Sequence, residues 1–253
     1  MLEKIISCKK QEVAGLKKKF FHKMPPAAAK EPFLFYRTLK QRKFSIIAEI
    51  KRKSPTAGKI RSDLEPGKLA LIYERAGAAA ISVLTDKKFF GAKDGDLKTV
   101  KKSVRVPVLK KDFIIDEVQL YQAAASGADA VLLITTILSP QKIKKFLSLA
   151  KRLGLDCLVE VHNLSELHKA LKSGAKIIGV NNRNLKTGQV ELETSFRLLP
   201  LIPASKIAVS ESGVKSSSQA QILKQLGARA ILVGESILKS RRTAEKIKEL
   251  KKG

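Results

Sequence analysis

The feature that most constrains this chain is a small-residue punctuation that returns along it: Ala76-Gly77-Ala78, Ser126-Gly127-Ala128, Ser173-Gly174-Ala175 and Leu226-Gly227-Ala228. A glycine just past a helix takes the left-handed conformation that ends it, and the chain turns into the next element. Within two residues each punctuation meets a short Val/Ile/Leu-rich run. Counting those without such a lead-in, the candidate strands are Ile46–Lys51, Ala80–Thr85, Val106–Lys111, Ala130–Thr135, Leu158–Val161, Ile177–Asn181, Ile207–Glu211 and Ala230–Gly234. Unbroken apolar runs of this length mark strands buried on both faces. Helical stretches lie between them at Leu69–Ala76, Val118–Ala125, Pro140–Leu153, Leu164–Leu171, Glu193–Leu198 and Ser217–Leu226. Eight βα units in one chain of 253 residues predict an α/β fold, a (β/α)8 TIM barrel. An open doubly wound sheet is the alternative, and the lack of a GxGxxG fingerprint weighs against it.

The segment before the first strand reads differently. Leu2, Ile5, Ile6, Val13, Leu16 and Phe20 recur at helical spacing among lysines, the pattern of an amphipathic helix. Pro25-Pro26 and Pro32 interrupt it, and Phe33–Leu39 forms a second short helical stretch. The expectation is a single barrel domain over 1–253, with residues 1–43 as its N-terminal helical extension.

The net charge of +27 invites a nucleic-acid reading. The excess is mostly lysine spread from Lys4 to Lys252, aromatics are 5% and Trp is absent, so a base-stacking platform is poorly supplied. A solvated basic surface that steers anionic ligands fits better. Cys8 and Cys157 stand far apart with no CxxC, which points to neither a disulfide framework nor a zinc site. The opening Met1-Leu2-Glu3-Lys4-Ile5-Ile6 is charged too early for a secretory signal. No apolar run approaches the roughly 18 residues of a membrane helix. A cytoplasmic protein is expected.

In a (β/α)8 barrel the chemistry sits at the C-terminal strand ends. The first strand ends in Glu49, Lys51 and Lys53, which share one face if the strand runs on. A carboxylate and an ammonium facing a closed core are costly unless they pair or bind something. The third strand places Lys111 on the face of Leu109; the fifth ends in Glu160 and His162; the sixth offers Asn181 and Arg183; the seventh ends in Glu211-Ser212-Gly213. After the eighth comes Gly234-Glu235-Ser236. The glycine turns after strands seven and eight are where barrels commonly bind phosphate on backbone N–H groups.

The motifs Ala-Glu-Ile-Lys-Arg-Lys-Ser-Pro at 48–55, Lys-Lys-Asp-Phe-Ile-Ile-Asp at 110–116, Leu-Val-Glu-Val-His at 158–162, Gly-Val-Asn-Asn-Arg-Asn-Leu at 179–185 and Ser-Glu-Ser-Gly at 210–213 resemble those of the indole-3-glycerol phosphate synthase family, over essentially the whole chain. The resemblance implies a carbon–carbon lyase of tryptophan biosynthesis that closes the pyrrole ring of 1-(2-carboxyphenylamino)-1-deoxyribulose 5-phosphate. Carbon dioxide and water are lost, with no metal or organic cofactor. It implies Lys111 as general acid at the ketone, Lys51 beside the substrate carboxylate with Glu49 orienting it, and Glu160 in the proton transfer of dehydration. Asn181 and Glu211 belong to the same catalytic set. Arg183, Ser212, Lys53, Ser54 and Phe90 would hold the substrate, the last two at its anthranilate end. Gly213, Gly234 and Glu235 would take the phosphate. The extension would help close over the ligand. Asn184 stands where the family usually has Asp, the stretch 92–96 is a loose match, and the basicity lies outside the resemblance.

The partner expected is therefore an anionic small molecule carrying a carboxylate and a phosphate, with neither membrane nor nucleic acid; association with other enzymes of the pathway is left open. Another phosphate-binding barrel, such as a phosphoribosylanthranilate isomerase, would lack the Glu49/Lys51/Lys53 strand. With Lys51, Lys111 and Arg183 facing Glu49, Glu160 and Glu211, the lysines are expected to crowd one another in the free protein. A site lysine such as Lys111 would then titrate lower in the free protein than with ligand bound, and a moderately lowered pKa suits a general acid near neutral pH.

Overall fold

The computed structural model describes residues 1–20, 32–61 and 63–252. Among them, eight parallel strands close into a barrel: β1 Ser45–Ile50, β2 Ala80–Leu84, β3 Val108–Lys111, β4 Ala130–Ile134, β5 Asp156–Val161, β6 Ile177–Asn181, β7 Ile207–Glu211 and β8 Ala230–Val233. The strands neighbour one another in chain order. The ring closes where Ser45–Ala48 of β1 pairs with Ala230–Val233 of β8. The expected TIM barrel is the fold.

Side-chain alternation divides the strands between two cores. Ile46, Ala48 and Ile50 face outward and join the large cluster beneath the helices. Ile47, Leu109, Leu132, Leu158, Val209 and Leu232 face inward and fill the barrel. Gly77, Gly127, Gly174 and Gly227 all take positive φ between 81° and 101°, which is why the punctuation is built on glycine. Side chains of Asp116, Ser139, Asn163 and Ser216 cap the helices that follow them, each contributing about 1 kcal/mol.

Several elements go beyond the sequence-based reading. Helices cover Asp96–Ser103 and Thr243–Lys251, short ones cover Lys87–Phe90 and Glu235–Leu238, and Lys53–Ser54 pairs with Gly58–Lys59 in a hairpin. β1 ends at Ile50, so Lys53 belongs to this hairpin and does not continue the strand face of Glu49.

The extension serves both ends of the barrel. The helix Leu2–Phe20 lies at the C-terminal end, where Lys9 is buried between Asp86, after β2, and Asp112, after β3, at 3.0 and 2.9 Å. Ile5 packs in the interior cluster, against which Phe90 and Leu185 also rest. The helix Leu34–Gln41 lies at the opposite end: Phe35 and Leu39 are fully buried beneath the strands. There the Tyr36 N–H donates to Asp156, the first residue of β5 (2.8 Å). The chain thus roofs its mouth with one helix and floors the barrel with the other. The break expected at Pro25-Pro26 lies outside the described residues.

Candidate active site

The inward position that follows the last apolar residue is charged on each odd-numbered strand: Glu49 on β1, Lys111 on β3, Glu160 on β5 and Glu211 on β7. In (β/α)8 barrels alternate strands supply one interior layer. These four side chains take the place of such a layer. Lys111 Nζ sits between two carboxylates, 2.6 Å from Glu211 Oε2 and 3.3 Å from Glu160 Oε2. Lys51 Nζ donates to Glu49 Oε1 at 2.6 Å.

Burial alone would pull Lys111 down, but the negative charges of Glu211, Glu160 and Glu49 together outweigh it, and the ammonium is held well above the ordinary lysine range. The crowding among cations expected around Lys111 is not what surrounds it: its nearest neighbours are carboxylates. Glu211 and Glu160 move in opposite senses. Burial pushes Glu211 up, Glu160 and Glu49 add to the push, and Lys111 only partly offsets it. For Glu160 burial also pushes up, yet Lys111, His162 and a hydrogen bond from Asn181 turn the balance and hold it low. Two carboxylates driven apart around one ammonium give an acid and a base in one site.

Glycines make room for these groups. A Cβ on Gly179 of β6 would fall on Glu211 Oε1. On Gly234 it would stand 2.5 Å from Glu49 Oε1. Gly234, expected as a phosphate glycine, therefore also provides the space for a carboxylate. Gly213 lies 2.8 Å, at its missing Cβ, from Val190 of the loop after β6. The residue before it, Ser212, holds φ at 66°, a strained value for a side-chain-bearing residue that costs roughly 1–3 kcal/mol.

The mouth opens into a cavity of about 930 Å³ lined by Glu49, Lys51, Lys111, Arg183, Ser212, Gly213, Gly234 and Glu235, with Lys215, Lys239 and Lys246 at its rim. The Glu235 carboxylate accepts from Lys239 at 2.6 Å and is held below its usual range by that bond. Beside this cavity lies a small pocket of about 70 Å³ lined by Leu2, Ile5, Ser54, Phe90, Phe113 and Leu185. Lys51 and Arg183 border both spaces. A cationic end and an apolar aromatic end thus meet over the Lys51–Glu49 pair.

The remaining expected residues have definite places. Asn181 is buried on β6; its Oδ1 accepts the Arg183 N–H at 3.0 Å. Arg183 ties three loops, donating to Thr56 Oγ1 (2.9 Å) and Gly188 O (3.0 Å) and lying 3.9 Å from Glu235. Lys53 lines neither space; its stem lies over Gly91 on the hairpin side. Arg52, on the opposite face from Glu49, pairs with buried Asp96 and secures the loop.

Four residues were given no role in the sequence reading. Lys9 and Asp112 form the buried latch of the roof helix, with Lys110 2.8 Å from Asp112. His162 stands between Glu160 and Glu166, at 3.3 and 3.0 Å. Gly179 carried a readable signal, since a glycine inside an otherwise apolar strand marks a close approach. Besides Glu12 one turn on (2.6 Å), the partners that bury Lys9 lie more than 70 residues away, and an i,i+3 pair alone does not distinguish it from a solvated lysine.

Comparison with known proteins agrees with this geometry. The family model described as indole-3-glycerol phosphate synthase matches residues 2–250. The indole-3-glycerol phosphate synthase of Endomicrobium trichonymphae is 45% identical over 256 residues, covering 99% of either chain. That of Caldanaerobacter subterraneus is 47% identical over 232 residues, covering 91% of this chain and 90% of its own. Among solved structures, a thiamine phosphate pyrophosphorylase from Pyrococcus furiosus superposes with a TM-score of 0.61 at 18% identity, over 84% of this chain and 96% of its own. An N-acetylmannosamine-6-phosphate 2-epimerase from Clostridium perfringens gives 0.59 at 15%, over 76% and 86%. The two structures share the barrel alone. By sequence over nearly its whole length, and by the family model, the chain belongs to the indole-3-glycerol phosphate synthase family.

Proposed function

We propose that this barrel mouth closes the indole ring of 1-(2-carboxyphenylamino)-1-deoxyribulose 5-phosphate through the following division of labour. The observation that carries it is the Lys111 ammonium clamped between Glu211 and Glu160 at the base of a cavity with one cationic and one apolar end. The anthranilate ring lies against Phe90 and Ser54, its carboxylate facing Lys51. The phosphate lies at the far end, near Ser212, Gly213 and Gly234.

The ring carbon that bears the carboxylate attacks the ketone, and Lys111 gives its proton to the carbonyl oxygen. An ammonium is a weak acid at its ordinary pKa. Its fixed position against the developing alkoxide, in a site largely closed to water, supplies the driving force. The bond to the carboxylate then breaks, carbon dioxide leaves and the ring regains aromaticity. In the dehydration, the hydroxyl leaves as water with a proton from Glu211, while Glu160, held ionised, takes the proton from the adjacent carbon. Arg183 and Asn181 hold the intermediate; Glu49 fixes Lys51. Lys53, set apart on the hairpin, contributes to substrate attraction rather than to a contact in the mouth.

The test is a continuous spectroscopic assay for indole formation with the purified protein. The Lys111→Ala variant should fold, by circular dichroism, and lose turnover by at least about 10². Near-wild-type turnover in that variant would remove Lys111 from its role.

A further inference from the structure

Atom balance sets a requirement that the four mouth residues do not meet by themselves. The substrate's carboxylate departs as neutral carbon dioxide and its ketone oxygen as water. Two protons go onto oxygen and one comes off carbon. Each turnover therefore consumes one proton, and the protein ends one proton short: Lys111 is an amine, Glu211 is ionised, and Glu160 holds the proton taken from carbon. That proton must come from water, and while a ligand fills the cavity that Lys111 lines, the mouth offers it no open way in, since Glu160 and Glu211 are buried behind it.

One row of side chains leads out. Lys111 Nζ faces Glu160 Oε2 at 3.3 Å, and the other oxygen of the same carboxylate, Oε1, faces His162 Nε2 at 3.3 Å. His162 Nδ1 lies 3.0 Å from Glu166 Oε2. Glu166 Oε1 accepts from Thr136 Oγ1 at 2.8 Å, and Thr136 is exposed. Each member is fastened: the His162 N–H and the Thr135 hydroxyl both donate to Glu166, at 2.8 and 2.9 Å, and Thr135 and Leu138 carbonyls hold Lys169 alongside. The charged groups facing the imidazole are Glu160 and Glu166, with Lys111 behind Glu160.

We propose that His162 is a positioning and relay residue that returns this proton: it passes one from its Nε2 to Glu160 Oε1 as Glu160 Oε2 passes one to the Lys111 amine, and it is itself recharged past Glu166 at the Thr136 surface. No bond between heavy atoms changes, and the proton that enters equals the one the reaction consumes. The electrostatics agree in direction. Burial disfavours a charged imidazole, but Glu160 and Glu166 outweigh it and keep His162 protonated up to about 10. Once Lys111 is neutral, Glu160 loses the cation that held it ionised and becomes the better acceptor. The proposal rests on the reaction assigned above, in which Lys111 spends its proton.

The experiment compares single-turnover and steady-state rates of wild-type protein and His162→Gln, which keeps a donor toward Glu160 but cannot relay. The first turnover uses the protons already on Lys111 and Glu211 and should slow far less than later ones. Later turnovers should slow by about 10², most above neutral pH, and imidazole added to the buffer should restore them. Equal slowing of first and later turnovers would reduce His162 to a purely structural support and overturn the relay. An unchanged steady state would overturn it too. If wild-type protein forms no product, the reaction assignment fails instead, and the two failures are told apart in the same assay.

Discussion

Gly179 on β6 and Glu211 on β7 share one volume: the carboxylate occupies the space that any side chain at residue 179 would need. Gly179→Ala should therefore act on chemistry first. The Cβ forces Glu211 off Lys111, and activity should fall by at least about 10². Overpacking of this kind should also cost roughly 1–3 kcal/mol, read as a lower urea midpoint. Gly234→Ala should displace Glu49 in the same way but leave the Lys111–Glu211 contact in place.

The roof helix depends on a buried ion. Lys9→Met keeps the length of the side chain but leaves Asp86 without its cation, and the expected loss is about 3 kcal/mol by urea unfolding. Because Leu2 and Ile5 line the apolar pocket, KM should rise more than kcat falls. Lys9→Met combined with Asp86→Asn should recover part of the stability.

Stability should show directly that His162 is held between Glu160 and Glu166. His162 is raised from 6.5 to about 10, so its contribution is complete below 6.5 and is lost as pH climbs through about 10. Glu166 is lowered from 4.5 to about 2, so its share is complete above 4.5 and is lost as pH falls through about 2. Urea unfolding between pH 6.5 and 10 should give a steeper decline for wild-type protein than for His162→Gln. Parallel curves would contradict the pairing.

The two thiols should separate cleanly. Cys157 is buried on β5, and burial followed by the charge of Asp156 pushes its thiol well up. Cys8, half-buried, has the Lys88 ammonium 3.2 Å from its sulfur. A maleimide should label one thiol per native chain, at Cys8, and the second only on unfolding.

The barrel was legible because its strands are buried on both faces and its turns need glycine. Both demands leave marks within a few residues. The helix Asp96–Ser103 escaped because it carries just Leu97 and Val100 as apolar anchors and no side-chain cap at Gly95. The extension was readable as helices, but its division between roof and floor was not. That depends on Asp86, Asp112 and Asp156, which come from three other units. At the mouth, Glu49, Lys111, Glu160 and Glu211 were readable as strand-end residues. Their electrostatics were not: sequence lists the charges, while the fold decides that Lys111 meets carboxylates and that Lys53 turns away.

Four alternate strands each place an ionisable group where a barrel of this kind would stack aliphatic side chains. The molecule has left one course of its own masonry unlaid in hydrocarbon, and the reaction occupies the gap. Buried ionic sets are often replaced by apolar residues with a gain in stability. Selection for heat resistance alone would therefore lead this sequence toward a sturdier and inert barrel. What keeps the charges in place is the reaction itself.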